Sequence, residues 1–251
     1  MELEYFKVED QYGGNQELLH DFWLRLGGCA AVTACDLCIY LDLYRKNETG
    51  GRWLYPYDVT HISKKDYEDF AMLMKPYLRP RFGGIDKLSI YTGGFGRYLS
   101  DRGFNVSIRD YAEYTEPYEC GSEKNSCMTL YEFKRDRSYA EAEQAVRKQL
   151  DHGIPIPFLN LNHKDKEFAD FVWHWFLLGG YEYRDSSNTS ANTVDPGTGC
   201  NTAAGRLYVK AISYGESVWL DFERLWNSGF EPKGGMVILD FNANSQKMLD
   251  K

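Results

Sequence analysis

The chain has 251 residues, of which 43% are hydrophobic and 26% are charged, and this balance is typical of a globular protein with a buried core. Its formal net charge of -8 argues against nucleic acid or an anionic membrane surface as a partner. No run approaches the ~20 apolar residues of a membrane-spanning helix, and the first residues lack the basic and apolar regions of a leader peptide. We therefore expect a cytoplasmic protein without membrane segments.

The first 45 residues predict a turn, a short helix and then a buried central helix. A Gly-Gly turn at 13–14 precedes two amides, Asn15 and Gln16, and a helix is expected from Glu17 to Leu26. The central helix is expected from Cys29 to about Arg45. Its residues are apolar on nearly every side, which is typical of a helix that is covered on all faces.

Cys29 begins this central helix, directly after the flexible pair Gly27-Gly28. At a helix N-terminus the unpaired backbone N–H groups and the helix dipole stabilise an anion. This position therefore favours a lowered thiol pKa and a nucleophilic thiolate. The alternative is a small cysteine that simply packs inside the helix, which is a common place for a free cysteine.

The other cysteines do not predict a disulfide framework or a metal site. Cys35 and Cys38 lie within the central helix and are expected in the core. Cys120 and Cys127 are seven residues apart, which is not the spacing of a zinc-binding pair. We expect no metal ion and no cofactor.

Helices predominate in the middle of the chain. The run from Ser63 to Asp66 resembles a capping box, and the helix that follows has an apolar stripe made of Tyr67, Phe70, Ala71 and Met74. A weaker helix is predicted from Thr92 to Arg102, and alternating apolar residues predict a strand at 104–108. Residues 116–136 give no clear pattern.

Strands predominate in the last third, after one more capped helix. Ser138 and Glu141 form a capping box, and Gly153 is the glycine that ends that helix. The next strand, at 154–159, contains two prolines, which suggest an edge position. Further elements are predicted as strands at 171–183, 191–194, 207–212 and 235–241, and as a helix at 218–226. Helices followed by strands indicate an α+β fold with an antiparallel sheet.

His174 and Asp195 are the candidate partners of a cysteine nucleophile. A thiol needs a base to take its proton, and the base needs an orienting group. His174 begins an apolar strand, where an imidazole needs a partner or costs stability. If the strands at 171–183 and 191–194 pair as a hairpin, Asp195 lies beside His174. The alternatives are a core histidine bonded to the backbone and a turn aspartate before Pro196-Gly197.

Four stretches resemble motifs of the papain-like cysteine peptidase superfamily. The closer resemblance is to the bacteriocin-type domains that process double-glycine leader peptides, and to their stand-alone relatives. The first stretch is similar to the nucleophile at the start of the central helix, and the second to the family's helix, glycine and "G-x-P-hydrophobic" strand. The third and fourth are similar to the "H-W/Y-hydrophobic-G-Y" and "hydrophobic-D-P" strands. In chain order they are Gly28-Cys29-Ala30-Ala31, Gln149 to Ile156, Trp173 to Tyr181 and Val194-Asp195-Pro196.

The resemblance implies a papain-like cysteine proteinase fold, in which the central buried helix packs on an antiparallel sheet. It implies Cys29 as the nucleophile, His174 as the general base and acid, and Asp195 as the residue that orients the imidazole. The family's oxyanion donor is a glutamine upstream of the cysteine. Here Gln16 or the neighbouring Asn15 corresponds to it.

We expect one domain over residues 1–251, with 57–136 as a family-specific insertion or elaboration that walls one side of the cleft. The function expected from the resemblance is that of a cysteine hydrolase, a peptidase or amidase acting on a peptide or small amide. The alternative is a catalytically inactive papain-like binding protein that keeps an aromatic groove. Neither function involves nucleic acid or a membrane.

Overall fold

The fold is built on a seven-stranded sheet against which the helices pack. The computed structural model describes residues 1–114, 127–185, 205–227 and 229–241. Within these residues the α-helices are α1 (Phe22–Gly27), α2 (Cys29–Tyr44), α3 (Lys64–Met74), α4 (Leu88–Asp101), α5 (Tyr139–Asp151) and α6 (Phe222–Asn227). Short 3-10 helices are η1 (Gln16–Leu18), η2 (Tyr111–Glu113) and η3 (Lys166–Phe171). The strands are β1 (Lys7–Val8), β2 (Gln11–Tyr12), β3 (Asn105–Asp110), β4 (Cys127–Lys134), β5 (Ile156–Asn160), β6 (His174–Arg184), β7 (Arg206–Ser213), β8 (Glu216–Asp221) and β9 (Gly234–Phe241).

The large sheet is mixed, with the strand order β3-β4-β9-β5-β6-β7-β8. Its neighbouring strands run antiparallel, except that β3 and β4 are parallel. The predicted α+β class is therefore confirmed, whereas the expectation of a wholly antiparallel sheet is wrong at this pair. Residues 111–126 separate β3 from β4, and parallel neighbours need a connection of about a dozen residues or more.

The helix α2 is buried along nearly its whole length. Every residue from Cys29 to Asp42 is buried, and the helix ends at Tyr44, so the predicted central helix is confirmed. It packs against β5 and β6 of the sheet and against α1 and α3. Because neighbours cover it from several directions, the sequence of α2 has no polar face.

The capped amphipathic helices form where the sequence predicts them. Ser63 begins α3 by accepting a hydrogen bond from the Asp66 N–H at 3.1 Å, and the four stripe residues of α3 are buried. Ser138 and Glu141 form the reciprocal capping box of α5. Gly153 follows α5 with a φ of 71°, a left-handed conformation that favours glycine at this position.

The strand β5 corrects a prediction, because it lies in the interior of the sheet rather than at its edge. All five of its residues pair with β6, but only Phe158, Leu159 and Asn160 pair with β9. Pro155 precedes the strand and Pro157 lies beyond the part that pairs with β9. The missing N–H groups are therefore tolerated in a region where the strand has one neighbour.

Two predicted helices are divided in the structure. The segment predicted as a helix at 218–226 forms β8 and then α6, because β8 pairs with β7 and Asp221 caps α6 through the Arg224 N–H at 3.0 Å. The segment at 17–26 forms η1 and then α1, which Asp21 caps through the Leu24 N–H at 2.9 Å. The predicted strand at 191–194 lies outside the described residues.

The segment 57–136 contributes both helices and sheet strands. It contains α3, which packs on α2, and α4, which packs on the sheet. It also contains β3 and β4, and β4 pairs with β9 over seven residue pairs. The segment is therefore joined to the main sheet by backbone hydrogen bonds.

The described cysteines include both free thiols and a disulfide-bonded residue. Cys29, Cys35 and Cys38 are free thiols in α2, whereas Cys127 at the start of β4 is disulfide-bonded. The sequence-based expectation that the cysteines form no disulfide framework did not anticipate this bond. In the part of the chain that the structure describes, every helix is too short or too polar to span a membrane.

Two carboxylates of α2 are buried and anchor other segments to the helix. Asp42 is 3% exposed and accepts hydrogen bonds from the N–H groups of Leu54 and Tyr55 at 2.8 and 2.6 Å. Asp36 lies six residues earlier and is equally buried. Burial raises the pKa of each carboxyl to about 6, because removal from water penalises the charged form more than the hydrogen bonds favour it.

We predict that Asp42 makes the stability of the protein fall as the pH rises. Its folded pKa lies above its ordinary value of 3.8, so its stabilising contribution is complete below that value and is lost through pH 6. The free energy of unfolding, measured in urea, should decline by up to about 3 kcal/mol more for the wild type than for Asp42→Asn between pH 4 and 7. Parallel pH curves for the two proteins would contradict the assignment.

Candidate active site

The double glycine before Cys29 is required by close backbone packing. A Cβ at Gly28 would lie 2.2 Å from the Leu24 carbonyl oxygen, and one at Gly27 would lie 2.3 Å from the Arg81 carbonyl oxygen. These contacts let α1 end and α2 begin within one residue. Cys29 is consequently the first residue of α2 and is only 4% exposed.

The pKa of the Cys29 thiol is raised, which corrects the expectation of a lowered value. Backbone N–H groups of Ala30, of Trp175 and of Cys29 itself favour the thiolate, as a helix N-terminus should. Desolvation by burial is the larger effect and disfavours the anion. The helix terminus therefore does not by itself supply a thiolate at neutral pH.

His174 begins β6 and is 5% exposed. Its Nε2 lies 2.6 Å from Ser213 Oγ, and its Nδ1 lies 3.2 Å from the hydroxyl of Tyr214. Burial lowers the pKa of the imidazole to about 4, so the ring is neutral at pH 7. A neutral imidazole can accept a proton, but a pKa this far below neutral pH makes the ring a weak base.

Tyr214 covers one face of the imidazole. The two rings are stacked with centroids 4.5 Å apart and planes within 7° of parallel. In this arrangement the phenol hydroxyl reaches Nδ1 from the face of the ring rather than along the in-plane lone pair, so the hydrogen bond is poorly directed. The main effect of the Tyr214 ring is therefore to shield the imidazole of His174 from water, rather than to form a strong hydrogen bond with Nδ1.

Backbone strain concentrates around His174. Trp173 has a φ of 55° and Tyr214 a φ of 52°, and among the described residues other than glycine only Glu9 shares a positive φ. Bulky side chains in this left-handed region cost on the order of 1–3 kcal/mol each. Such strain persists where the surrounding structure enforces it, and it is typical of functional sites.

The strained Tyr214 belongs to a tight turn that is tied to the N-terminal segment. Tyr214 and Gly215 join β7 to β8, and both have positive φ, as in a two-residue type I′ turn. Asn15 Nδ2 donates to the Tyr214 carbonyl at 2.9 Å, and the Tyr12 N–H donates to the Gly215 carbonyl at 2.8 Å. The Tyr214-Gly215 turn is therefore hydrogen-bonded to the residues on either side of Gly13-Gly14.

Cys29 and His174 line one small cavity, together with Gln16, Ser213 and Tyr214. The cavity volume is about 10 Å³, which is room for about one water molecule. The sequence predicts that the thiol and the imidazole approach within hydrogen-bond reach, but no hydrogen bond joins them among the described contacts. Cys29 and His174 therefore face the same cavity without a hydrogen bond between them. In this conformation the cavity is too small for a ligand larger than a water molecule.

The two oxyanion candidates differ in position. Gln16 is 9% exposed and lines the cavity, its Nε2 lies 3.5 Å from the Arg25 carbonyl oxygen, and its Oε1 has no hydrogen-bond partner. Asn15 instead caps η1 by accepting from the Glu17 N–H at 2.9 Å, while its Nδ2 binds the Tyr214 carbonyl. The side chain of Gln16 is therefore the available amide, and that of Asn15 is committed to structure.

Ser213 and Tyr214 are site residues that the sequence analysis missed. The orienting role predicted for Asp195 depends on a hairpin between the strands at 171–183 and 191–194, and residues 191–195 lie outside the described residues. The described strand that pairs with β6 on this side is β7, with Leu177 opposite Ile212. No local signal in the sequence indicates that β7 ends beside His174, because this depends on the register between two distant strands.

Chemically, the described residues offer a nucleophile, a base and amide donors, but no metal centre. Within the part of the chain that the structure describes, no three His, Cys, Asp or Glu side chains lie close enough together to hold a metal ion. No protein-family model matches the chain, and comparison with curated proteins and with solved structures gives no significant match.

We predict that Cys29 reacts slowly with iodoacetamide at pH 7 and faster as the pH rises above 9. Its raised thiol pKa leaves little thiolate at neutral pH. Mass spectrometry of the labelled peptide gives the rate at each pH, and Cys29→Ala identifies the signal. Cys35 and Cys38 are fully buried and should stay unlabelled in the folded protein. A rate that is constant between pH 6 and 9 would instead indicate a thiolate–imidazolium pair.

We predict that Tyr214→Gly raises the pKa of His174 from about 4 toward its ordinary value of 6.5. Glycine tolerates the left-handed turn and uncovers one face of the imidazole, so the desolvation that lowers the pKa decreases. Tyr214→Phe is the matched control, because it keeps the stacked ring and should leave the pKa within about one unit. The measurement is the titration of the His174 ring protons by NMR. An unchanged pKa in the glycine variant would show that Tyr214 does not cause the shift.

Proposed function

We propose that the chain is a papain-like cysteine hydrolase that cleaves a peptide or small amide substrate. The observation that carries the proposal is the shared cavity, which Cys29 at the start of a buried helix lines together with His174 at the start of a sheet strand. Gln16, upstream of the cysteine, lines the same cavity. A nucleophile, a base and an amide donor around one space are the parts that acyl transfer from an amide requires.

Ser213 orients the base in this proposal. Its Oγ is 2.6 Å from Nε2, and it ends the strand that returns beside β6. When Nε2–H donates to Ser213 Oγ, the tautomer is fixed and Nδ1 is the nitrogen that can accept a proton. The hydrogen bond between Ser213 and His174 supports Ser213 in this role, while the role predicted for Asp195 stays a prediction because that residue lies outside the described residues.

The proposed reaction begins with both groups neutral. Cys29 Sγ attacks the carbonyl carbon while its proton passes to His174 Nδ1, and the oxyanion is held by the Cys29 N–H and the Gln16 amide. The C–N bond then breaks, and Nδ1 returns the proton to the leaving amine, which leaves an acyl thioester. Water adds to this thioester with His174 again as base, and the C–S bond breaks to give the carboxylic acid and the thiol.

Substrate entry requires a local opening. A cavity of about 10 Å³ does not admit a peptide bond with its neighbours. Tyr214 lines the cavity beside Cys29, and a Cβ at Gly84 would lie 3.9 Å from Cys29 Sγ. In this proposal, movement of the Tyr214 side chain or of the loop at Gly84 opens the space beside the thiol.

Two observations favour a second candidate function, that of a binding protein. The site cavity is closed to ligands larger than water, and the Cys29 thiol and the His174 imidazole are both neutral at pH 7. In this alternative the chain is a papain-like binding protein that has lost catalysis, and ligands use an exposed aromatic residue beside the site. Trp173 directly precedes His174 and is 43% exposed. A reactive Cys29 with no turnover of any amide would favour this alternative.

We predict that Cys29→Ala abolishes hydrolysis of a fluorogenic peptide library, because it removes the attacking sulfur. His174→Ala should lower kcat by about 100-fold or more through loss of the base. Ser213→Ala should lower kcat while KM changes little, and Asp195→Asn tests the residue that the sequence analysis assigns to this role. Cys35→Ala is the matched control, since that cysteine lies in α2 away from the cavity. Full activity of Cys29→Ala would contradict the proposal.

A further inference from the structure

Asp36 lines the site cavity together with Cys29 and His174. It follows Cys29 by seven residues, which is two turns of α2, so the two side chains project from the same side of the helix. Asp36 is 4% exposed and lines the cavity that Cys29, His174 and Gln16 also line. A buried carboxylate at this place calls for partners, and it has several.

The partners of Asp36 are neutral donors from three segments. The Gly14 N–H is shared between its two oxygens at 3.1 Å each. The hydroxyl of Tyr67 on α3 donates to Oδ1 at 2.6 Å, and the hydroxyl of Tyr5 donates to Oδ2 at 3.1 Å. The carboxylate therefore joins α2, α3 and the N-terminal Gly-Gly turn at one point.

The Gly-Gly turn fits around this carboxylate so closely that side chains are excluded. Gly13 has a φ of 78°, and a Cβ there would lie 2.6 Å from Asp36 Oδ2. A Cβ at Gly14 would lie 1.8 Å from the Tyr67 hydroxyl oxygen. Two successive glycines form a flexible segment, so its position must be imposed by contacts of this kind.

Gln16 lies two residues beyond Gly14 and depends on the position of this turn. Its own side chain has one marginal hydrogen bond, at 3.5 Å to the Arg25 carbonyl oxygen, and an unpaired Oε1. Its backbone is placed by its neighbours, with Gly14 bound to Asp36 and Asn15 bound to Tyr214. Within η1 the Gln16 carbonyl also accepts from the Leu19 N–H at 3.2 Å. The position of Gln16 in the cavity wall therefore depends in part on the contacts that hold Gly14 and Asn15.

From these contacts we infer that Asp36 is a positioning residue for catalysis, because it fixes the Gly-Gly turn and thereby holds the Gln16 amide at the oxyanion side of the cavity. The inference rests on the proposed hydrolase function and extends it. Asp36 does not touch the substrate in this role. It acts only through Gly14 and Gln16, and that restriction makes the role testable.

The test is a double-mutant cycle in the full-length protein, with hydrolysis of a fluorogenic peptide amide as the readout. Gln16→Ala should lower kcat by about 100-fold, as loss of an oxyanion donor does. Asp36→Ala should lower kcat by a similar factor with KM changed less than about threefold. The double variant Asp36→Ala/Gln16→Ala should be no slower than Gln16→Ala, because both changes remove one effect.

Three further variants separate positioning from stability. Asp36→Asn should recover most of kcat, since its amide oxygen still accepts from the Gly14 N–H and the tyrosine hydroxyls can rotate. Asp42→Asn is the matched control, because Asp42 is a buried carboxylate on the same helix that binds backbone N–H groups away from the cavity; it should leave kcat unchanged. Where Asp36→Ala does not fold, Gly14→Ala displaces the same turn and should show the same loss and the same non-additivity with Gln16→Ala.

The outcomes distinguish this inference from the proposed function. If the wild type hydrolyses no amide, the proposed function fails and the role of Asp36 fails with it. If the wild type is active but kcat losses at Asp36 and Gln16 multiply, or Asp42→Asn loses as much as Asp36→Ala, only the inference is overturned. Non-additive losses with rescue by Asp36→Asn establish it.

Discussion

The burial of α2 is the constraint on which the rest of the structure depends. The helix packs against the sheet and two other helices, so the polar side chains between Cys29 and Asp42 are taken out of water. Cys29, Asp36 and Asp42 must therefore find partners within the protein. The partners come from the Gly13-Gly14 turn, from α3, from the loop at 54–55 and from the backbone beside His174. These hydrogen bonds fix the positions of the four segments around the helix.

The same burial decides the protonation states at the candidate site. A helix N-terminus and three N–H groups favour the Cys29 thiolate, but desolvation outweighs them. His174 is shielded by Tyr214 and has its pKa lowered for the same reason. Both groups are therefore neutral at pH 7, and this is the state from which the proposed reaction starts.

Local patterns in the sequence predicted the local structure well. The periodic stripe and cap of α3, the capping box of α5 and the all-apolar α2 each lie within one segment, and each is confirmed. Of the candidate site residues, Cys29, His174 and Gln16 were identified from the sequence and line a single cavity. Their catalytic roles stay predictions, as does that of Asp195.

What the sequence analysis missed depends on contacts between distant segments. The interior position of β5 follows from its partial pairing with β9, which no proline count reveals. Ser213 is adjacent to His174 because of the register between β6 and β7, which shifts between Leu178 and Tyr181. The raised thiol pKa of Cys29 was missed because the field of a helix end is local, whereas desolvation is a property of the whole packed structure.

The hydrogen bond between Asn15 and the Tyr214 carbonyl joins residues that are 199 positions apart in the chain. The candidate site can therefore form only after both of these segments have been synthesised. During synthesis Cys29 emerges before His174, Ser213 and Tyr214 have been made. Closing a loop of this length is entropically costly and slow, so the segments that carry these residues meet late in folding. A nascent chain therefore carries Cys29 before the cavity that this residue lines together with His174 and Ser213 has formed.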